Sequence, residues 1–92
     1  RLRTDHVDLL QIHWLGSGER LEEVIAAMET LRAQGKARAL GVCNFGPTSL
    51  ARLRAVGTGW ITNQLPYNLI WRAIEFEVTG ACQRDGLGVL CY

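Results

Sequence analysis

The sequence runs to 92 residues, enough for one small domain with one modest core, and its 48% hydrophobic and 21% charged content is ordinary for a soluble globular chain. Net charge is +1 and the ten Lys and Arg are scattered, which points away from nucleic acid and acidic membrane surfaces. No apolar run reaches the roughly 18–20 residues of a membrane span, and the first residues do not read as a signal peptide.

Residues 1–4 suit the tail of a helix, with Thr4-Asp5 as the turn out of it. Residues 7–14 read as a mostly apolar strand, and near-continuous hydrophobicity suits a parallel strand covered on both faces. Residues 15–18 read as loop. Leu21, Val24, Ile25, Met28 and Leu31 predict a helix over 19–34. Ser17 or Gly18 is expected to cap it, with Glu19, Glu22 and Glu23 at the positive end of its dipole. Gly35 is its stop, and Arg32 and Lys36 sit near the negative end.

A second strand over 37–42 runs into Cys43 and Asn44. Pro47 opens a second helix, with Leu50, Leu53 and Val56 facing inward and Gly57 as stop. Residues 60–64 predict a third strand and 65–69 an irregular loop. A third helix is expected over about 73–84, with Ile74, Val78, Ala81 and Cys82 on one face and Asp85-Gly86 ending it. Residues 87–91 predict a fourth strand.

The order is β-α-β-α-β-α-β, with no internal repeat and no low-complexity linker. Such alternation implies an α/β fold with a parallel sheet and right-handed crossovers. A recurrence of roughly 20–30 residues suits a (β/α)8 TIM barrel, whose eight units need about 250 residues. The expectation is therefore a partial barrel, with residues 1–92 as part of a single larger domain. An open doubly wound sheet is the competing architecture, though no G-x-G-x-x-G follows any strand. The chain begins without Met and stops directly after a strand, which reads as a piece of a longer protein.

Three cysteines, Cys43, Cys82 and Cys91, occur at wide spacing with no C-x-x-C. That argues against a disulfide framework or a zinc site and fits a reducing, cytoplasmic setting. Cys43 and Cys91 read as small buried residues, not nucleophiles, since no His or other base is placed near either in sequence.

Parallel strands would bring His13, Asn44, Gln64 and Tyr92 to one end of the sheet. In a barrel that end is the active-site face. Each also has a plainer role: His13 as a structural hydrogen-bonding residue, Asn44 as a turn residue, Gln64 as a partner of loop backbone, and Tyr92 as a packed rim aromatic. Trp14 and Trp60 suit packing, and Trp14, beside His13, also suits the wall of a pocket.

The segment Arg38-Ala39-Leu40-Gly41-Val42-Cys43-Asn44-Phe45 resembles a motif of the aldo-keto reductase family: basic, any, aliphatic, Gly, aliphatic, Ser or Cys, Asn, aromatic. Residues 4–14 resemble the family strand that ends in its catalytic His. Residues 63–69 and 87–92 resemble two further family segments, in the right order. The resemblance covers essentially the whole chain and implies strands four to seven of the family's (β/α)8 barrel.

It also implies hydride transfer between NADPH and an aldehyde or ketone, with a small carbonyl substrate and no metal. His13 would be the catalytic His that orients the substrate carbonyl. Cys43, Asn44 and Gln64 would bond the nicotinamide carboxamide, Tyr92 would stack on its ring, and Trp14 would border the substrate pocket. Cys43 stands where Ser is usual, and a thiol is a weaker hydrogen-bond partner. Leu15 stands where Pro often follows the aromatic. The family's Asp, general-acid Tyr and Lys come from strands that precede this segment, so the chain alone is expected to be inactive. Two other readings stay open: a nucleotide-sensing regulatory subunit of the same superfamily, and a truncated, non-functional product. No feature specifies an oligomeric state.

Overall fold

The computed structural model describes residues 2–16 and 20–92. The expected caps Ser17 and Gly18, and Glu19, lie outside the described residues. Four strands, β1 (Val7–Ile12), β2 (Ala37–Cys43), β3 (Trp60–Leu65) and β4 (Gly88–Cys91), form one sheet in the order β1-β2-β3-β4. Every neighbouring pair is parallel. Helices α1 (Leu21–Ala33), α2 (Pro47–Val56) and α3 (Val78–Arg84) carry the crossovers. No helix among the described residues is long and apolar enough to cross a membrane.

The core lies between the sheet and the helices. Leu40 and Val42 of β2 are fully buried there, with Leu21 of α1 and Leu50 of α2 almost so. At roughly 1.5–3 kcal/mol for each buried aliphatic side chain, these four anchor the layers. Their alternation leaves Gly41 and Cys43 on the opposite face of β2.

β1 and β2 pair in even register, with Gln11 beside Gly41 and Ile12 beside Val42. Between β2 and β3 the register slips: Leu40 pairs with Trp60, yet Gly41 pairs with Thr62. One extra residue, Ile61, makes this bulge and reverses which face the following side chains take. Trp60 therefore packs into the helix-side core, while Thr62 turns to the face of Gly41. A Cβ on Gly41 would run into the Thr62 hydroxyl, so close strand approach requires glycine here.

α1 starts at Leu21 behind an Arg20 N-cap that makes no side-chain cap bond. Glu22 and Glu23 occupy the first turn, and Arg20 pairs with Glu23 at 2.9 Å. Gly35 follows with φ +72°, the left-handed conformation expected at a helix stop. Val56, expected inward, is exposed. Each i+3 step drifts by about 60° at 3.6 residues per turn, so Val56 lies about 120° from Leu50, past the edge of the buried stripe.

The single helix expected over 73–84 is two pieces, a 3-10 turn (Ala73–Glu75) and α3. The Arg72 guanidinium donates to both Glu75 carboxylate oxygens at 2.9 Å, and the Tyr67 hydroxyl donates to Glu75 at 2.6 Å. The first turn is thereby tied to the loop after β3, and the helix restarts from Glu77 at φ −140°. Cys91, expected buried, is exposed because β4 is an edge of the sheet.

Candidate functional site

His13, Asn44 and Tyr92 each directly follow the last residue of a parallel strand, and Gln64 is the penultimate residue of β3. All four sit at the carboxyl end of the sheet, one on each strand. At about 4.8 Å between strands, the row spans on the order of 14 Å. The parallel register brings these residues together, from positions scattered over most of the chain.

Asn44 has φ +61°, a left-handed conformation that Asn tolerates better than most residues. Its N–H donates to the Gln64 carbonyl at 2.9 Å, which ties it to β3 as it leaves β2. The next residue, Phe45, is held harder. The Asn63 carboxamide accepts from the Phe45 N–H at 3.3 Å and donates to the Phe45 carbonyl at 2.8 Å. Asn63 is 0% exposed. A buried carboxamide that satisfies both backbone groups of one residue leaves the turn one conformation. Sequence reasoning missed Asn63 as a support of the site; a polar residue inside an otherwise buried strand was the available signal.

The Asn44 side chain is aimed across the end of the sheet. Its Oδ1 accepts from the Tyr92 hydroxyl at 2.6 Å, and its Nδ2 lies 3.5 Å from the His13 carbonyl oxygen, the weak limit of a hydrogen bond. Tyr92 is fixed by its backbone: its N–H donates to the Leu65 carbonyl and its carbonyl accepts from the Tyr67 N–H. Its ring stays more than half exposed. The half-buried Gln64 carboxamide bonds no other described residue and remains open to a ligand.

Cys43 is buried beside Gln64, its register partner. Burial pushes its thiol up, so the thiol keeps its proton at neutral pH. The Gln11 Nε2 amide reaches both the Val42 carbonyl, at 3.2 Å, and the Cys43 sulfur, at 3.3 Å. The exposed His13 ring lies 6.0 Å from the Trp14 ring, tilted by 40°. Trp14 is 62% exposed, so it is available as a wall rather than packed in the core. Trp60, by contrast, is core.

A primary carboxamide offers one acceptor and two donors. The loosely held Asn44 amide, the Gln64 carboxamide and the Cys43 thiol present the complementary groups, and the exposed Tyr92 ring offers a stacking face. This donor set fits a nicotinamide. Among the described residues, no three His, Cys, Asp or Glu side chains are placed to hold a metal ion.

The family model described as "Aldo/keto reductase family" matches residues 1–92. Methylglyoxal reductase YeaE of Escherichia coli is 42% identical over 94 residues, covering 100% of this chain and 33% of that protein. Aldo-keto reductase YhdN of Bacillus subtilis is 38% identical, covering 100% of this chain and 28% of that protein. A crystal structure of an aldo/keto reductase from Klebsiella pneumoniae, in complex with NADP and acetate, superposes with a TM-score of 0.90. It is 37% identical, over 97% of this chain and 32% of that one. The chain thus spans about a third of the length of the relatives it matches, and its sheet is a partial (β/α)8 barrel.

Proposed function

The chain belongs to the aldo/keto reductase family, and we propose that it carries the nicotinamide-facing strands, four to seven, of a barrel that reduces an aldehyde or ketone with NADPH in the cytoplasm. One observation carries this reading: His13, Asn44, Gln64 and Tyr92 converge at the carboxyl end of one parallel sheet, with Asn44 fixed in a left-handed turn. NADPH, when bound, supplies the hydride.

The chain's own residues bind and orient. Cys43, Asn44 and Gln64 would hold the nicotinamide carboxamide and so decide which ring face is offered. The Tyr92 ring would stack on the nicotinamide and hold its reactive carbon in place. His13, at the far end of the row, would donate to the substrate carbonyl oxygen and fix its direction, with Trp14 bordering the substrate. The protonating Tyr that the family resemblance implies lies outside residues 1–92.

On this reading the chain supplies nicotinamide contacts but does not turn over alone. Saturation-transfer NMR with NADPH tests the binding half: the nicotinamide protons should receive saturation from the chain, and less of it from a Tyr92→Ala variant. Equal transfer in both would contradict the site. NADPH consumption with an aldehyde, above a His13→Ala control, would contradict the division of labour.

A further inference from the structure

Gln11 lies two residues before His13, on the face of the sheet that carries Gly41 and Cys43. The absent side chain of Gly41 makes room for it: a Cβ there would stand 3.1 Å from the Gln11 Cγ. The carboxamide's orientation follows from chemistry. The Val42 carbonyl only accepts, so the Gln11 NH2, not its oxygen, must face it at 3.2 Å. The same NH2 reaches the Cys43 sulfur at 3.3 Å.

This contact bears on the thiol's role. A thiol can donate weakly or accept weakly. With the sulfur accepting from Gln11, the S–H proton is directed to a different partner. We propose that Gln11 is a positioning residue of the cofactor site, which orients the Cys43 thiol so that its S–H is offered as a donor to the carbonyl oxygen of the nicotinamide carboxamide. The inference rests on the reading of Cys43, Asn44 and Gln64 as the carboxamide site. Gln11 compensates for a weak donor by fixing its direction.

The test is a double-mutant cycle on the full 92-residue chain, with NADPH as the probe and NMR titration as the readout. Gln11→Met should weaken NADPH binding roughly three- to tenfold, the scale of one net hydrogen bond. Gln11→Glu should weaken it further, because a carboxylate accepts the S–H. In a Cys43→Ala background, Gln11→Met should have no further effect. The Raman S–H stretch gives a readout without cofactor: Gln11→Glu should move a thiol band to lower wavenumber, and the move should vanish in Cys43→Ala. Circular dichroism checks that each variant is folded.

Equal weakening by Gln11→Met with and without the Cys43 thiol would overturn the proposal, and so would an unmoved S–H band in folded Gln11→Glu. Absence of NADPH binding by the unmodified chain would overturn the carboxamide-site reading and this inference with it. Binding without coupling would overturn only the role of Gln11.

Discussion

The Tyr92 hydroxyl donates a 2.6 Å hydrogen bond to Oδ1 of Asn44, 48 residues away in sequence. The two residues follow β4 and β2, which are not neighbours; β3 and Gln64 lie between them. The bond therefore bridges the end of β3. It closes one side of the proposed nicotinamide site and leaves the Asn44 amide and the Tyr92 ring face available.

Ring and hydroxyl of Tyr92 have separable roles. Tyr92→Phe removes one exposed neutral hydrogen bond, costs about 1 kcal/mol or less, and should keep NADPH affinity within about threefold. Tyr92→Ala also removes the stacking face and should weaken NADPH about two- to tenfold, from an aromatic contribution of roughly 0.5–1.5 kcal/mol. Parallel NADPH titrations of the two variants check this.

Asn63 should be the costlier polar residue for stability. Asn63→Leu leaves the Phe45 N–H and carbonyl without their partner in a buried site. At roughly 1–3 kcal/mol for an unsatisfied buried group, a loss of about 2–4 kcal/mol is expected. Urea unfolding followed by circular dichroism measures it, and the Asn44 amide resonance should shift in the folded population.

Gly41→Ala places a methyl against the Thr62 hydroxyl and should destabilise by about 1–3 kcal/mol. Thr62→Ala in the same chain should restore part of that loss. The Thr62 hydroxyl has no hydrogen-bond partner among the described residues, so Thr62→Ala alone should cost little in polar terms. Thermal melts of the single and double variants give the coupling.

The loop after β3 should loosen in acid. The Arg72 guanidinium, and then the Tyr67 hydroxyl, hold the Glu75 carboxyl below its ordinary value of 4.5. A depressed carboxyl stabilises the fold above its ordinary value, and that contribution is lost as pH falls through the lower folded value. Amide protection factors over 67–75, corrected for intrinsic exchange at each pH, should fall below pH 4.5 and hold steady from there to neutrality, while Glu75→Gln should flatten the dependence.

Strand positions and the row of strand-end residues were legible in the sequence because they depend on local apolar runs and on parallel order. His13, Asn44, Gln64 and Tyr92 could be aligned without knowing any contact. What depends on through-space partners was not legible. The break before α3 comes from Tyr67 and Arg72 gripping Glu75. The bulge at Ile61 is defined only by the pairing with β2, where it brings Thr62 against Gly41. Gln11 and Asn63 read as polar members of apolar strands, and alternation does not say which backbone or thiol a carboxamide will find.

The most direct measurement is a 1H–15N NMR titration of the chain with NADPH, following the side-chain NH2 resonances of Asn44 and Gln64. The account predicts that both move, together with the Tyr92 backbone amide, while Arg54 and Asp85, which pair at 2.8 Å between α2 and the end of α3, stay still. Movement confined to residues away from the carboxyl ends of the strands, or no movement at saturating NADPH, would contradict it.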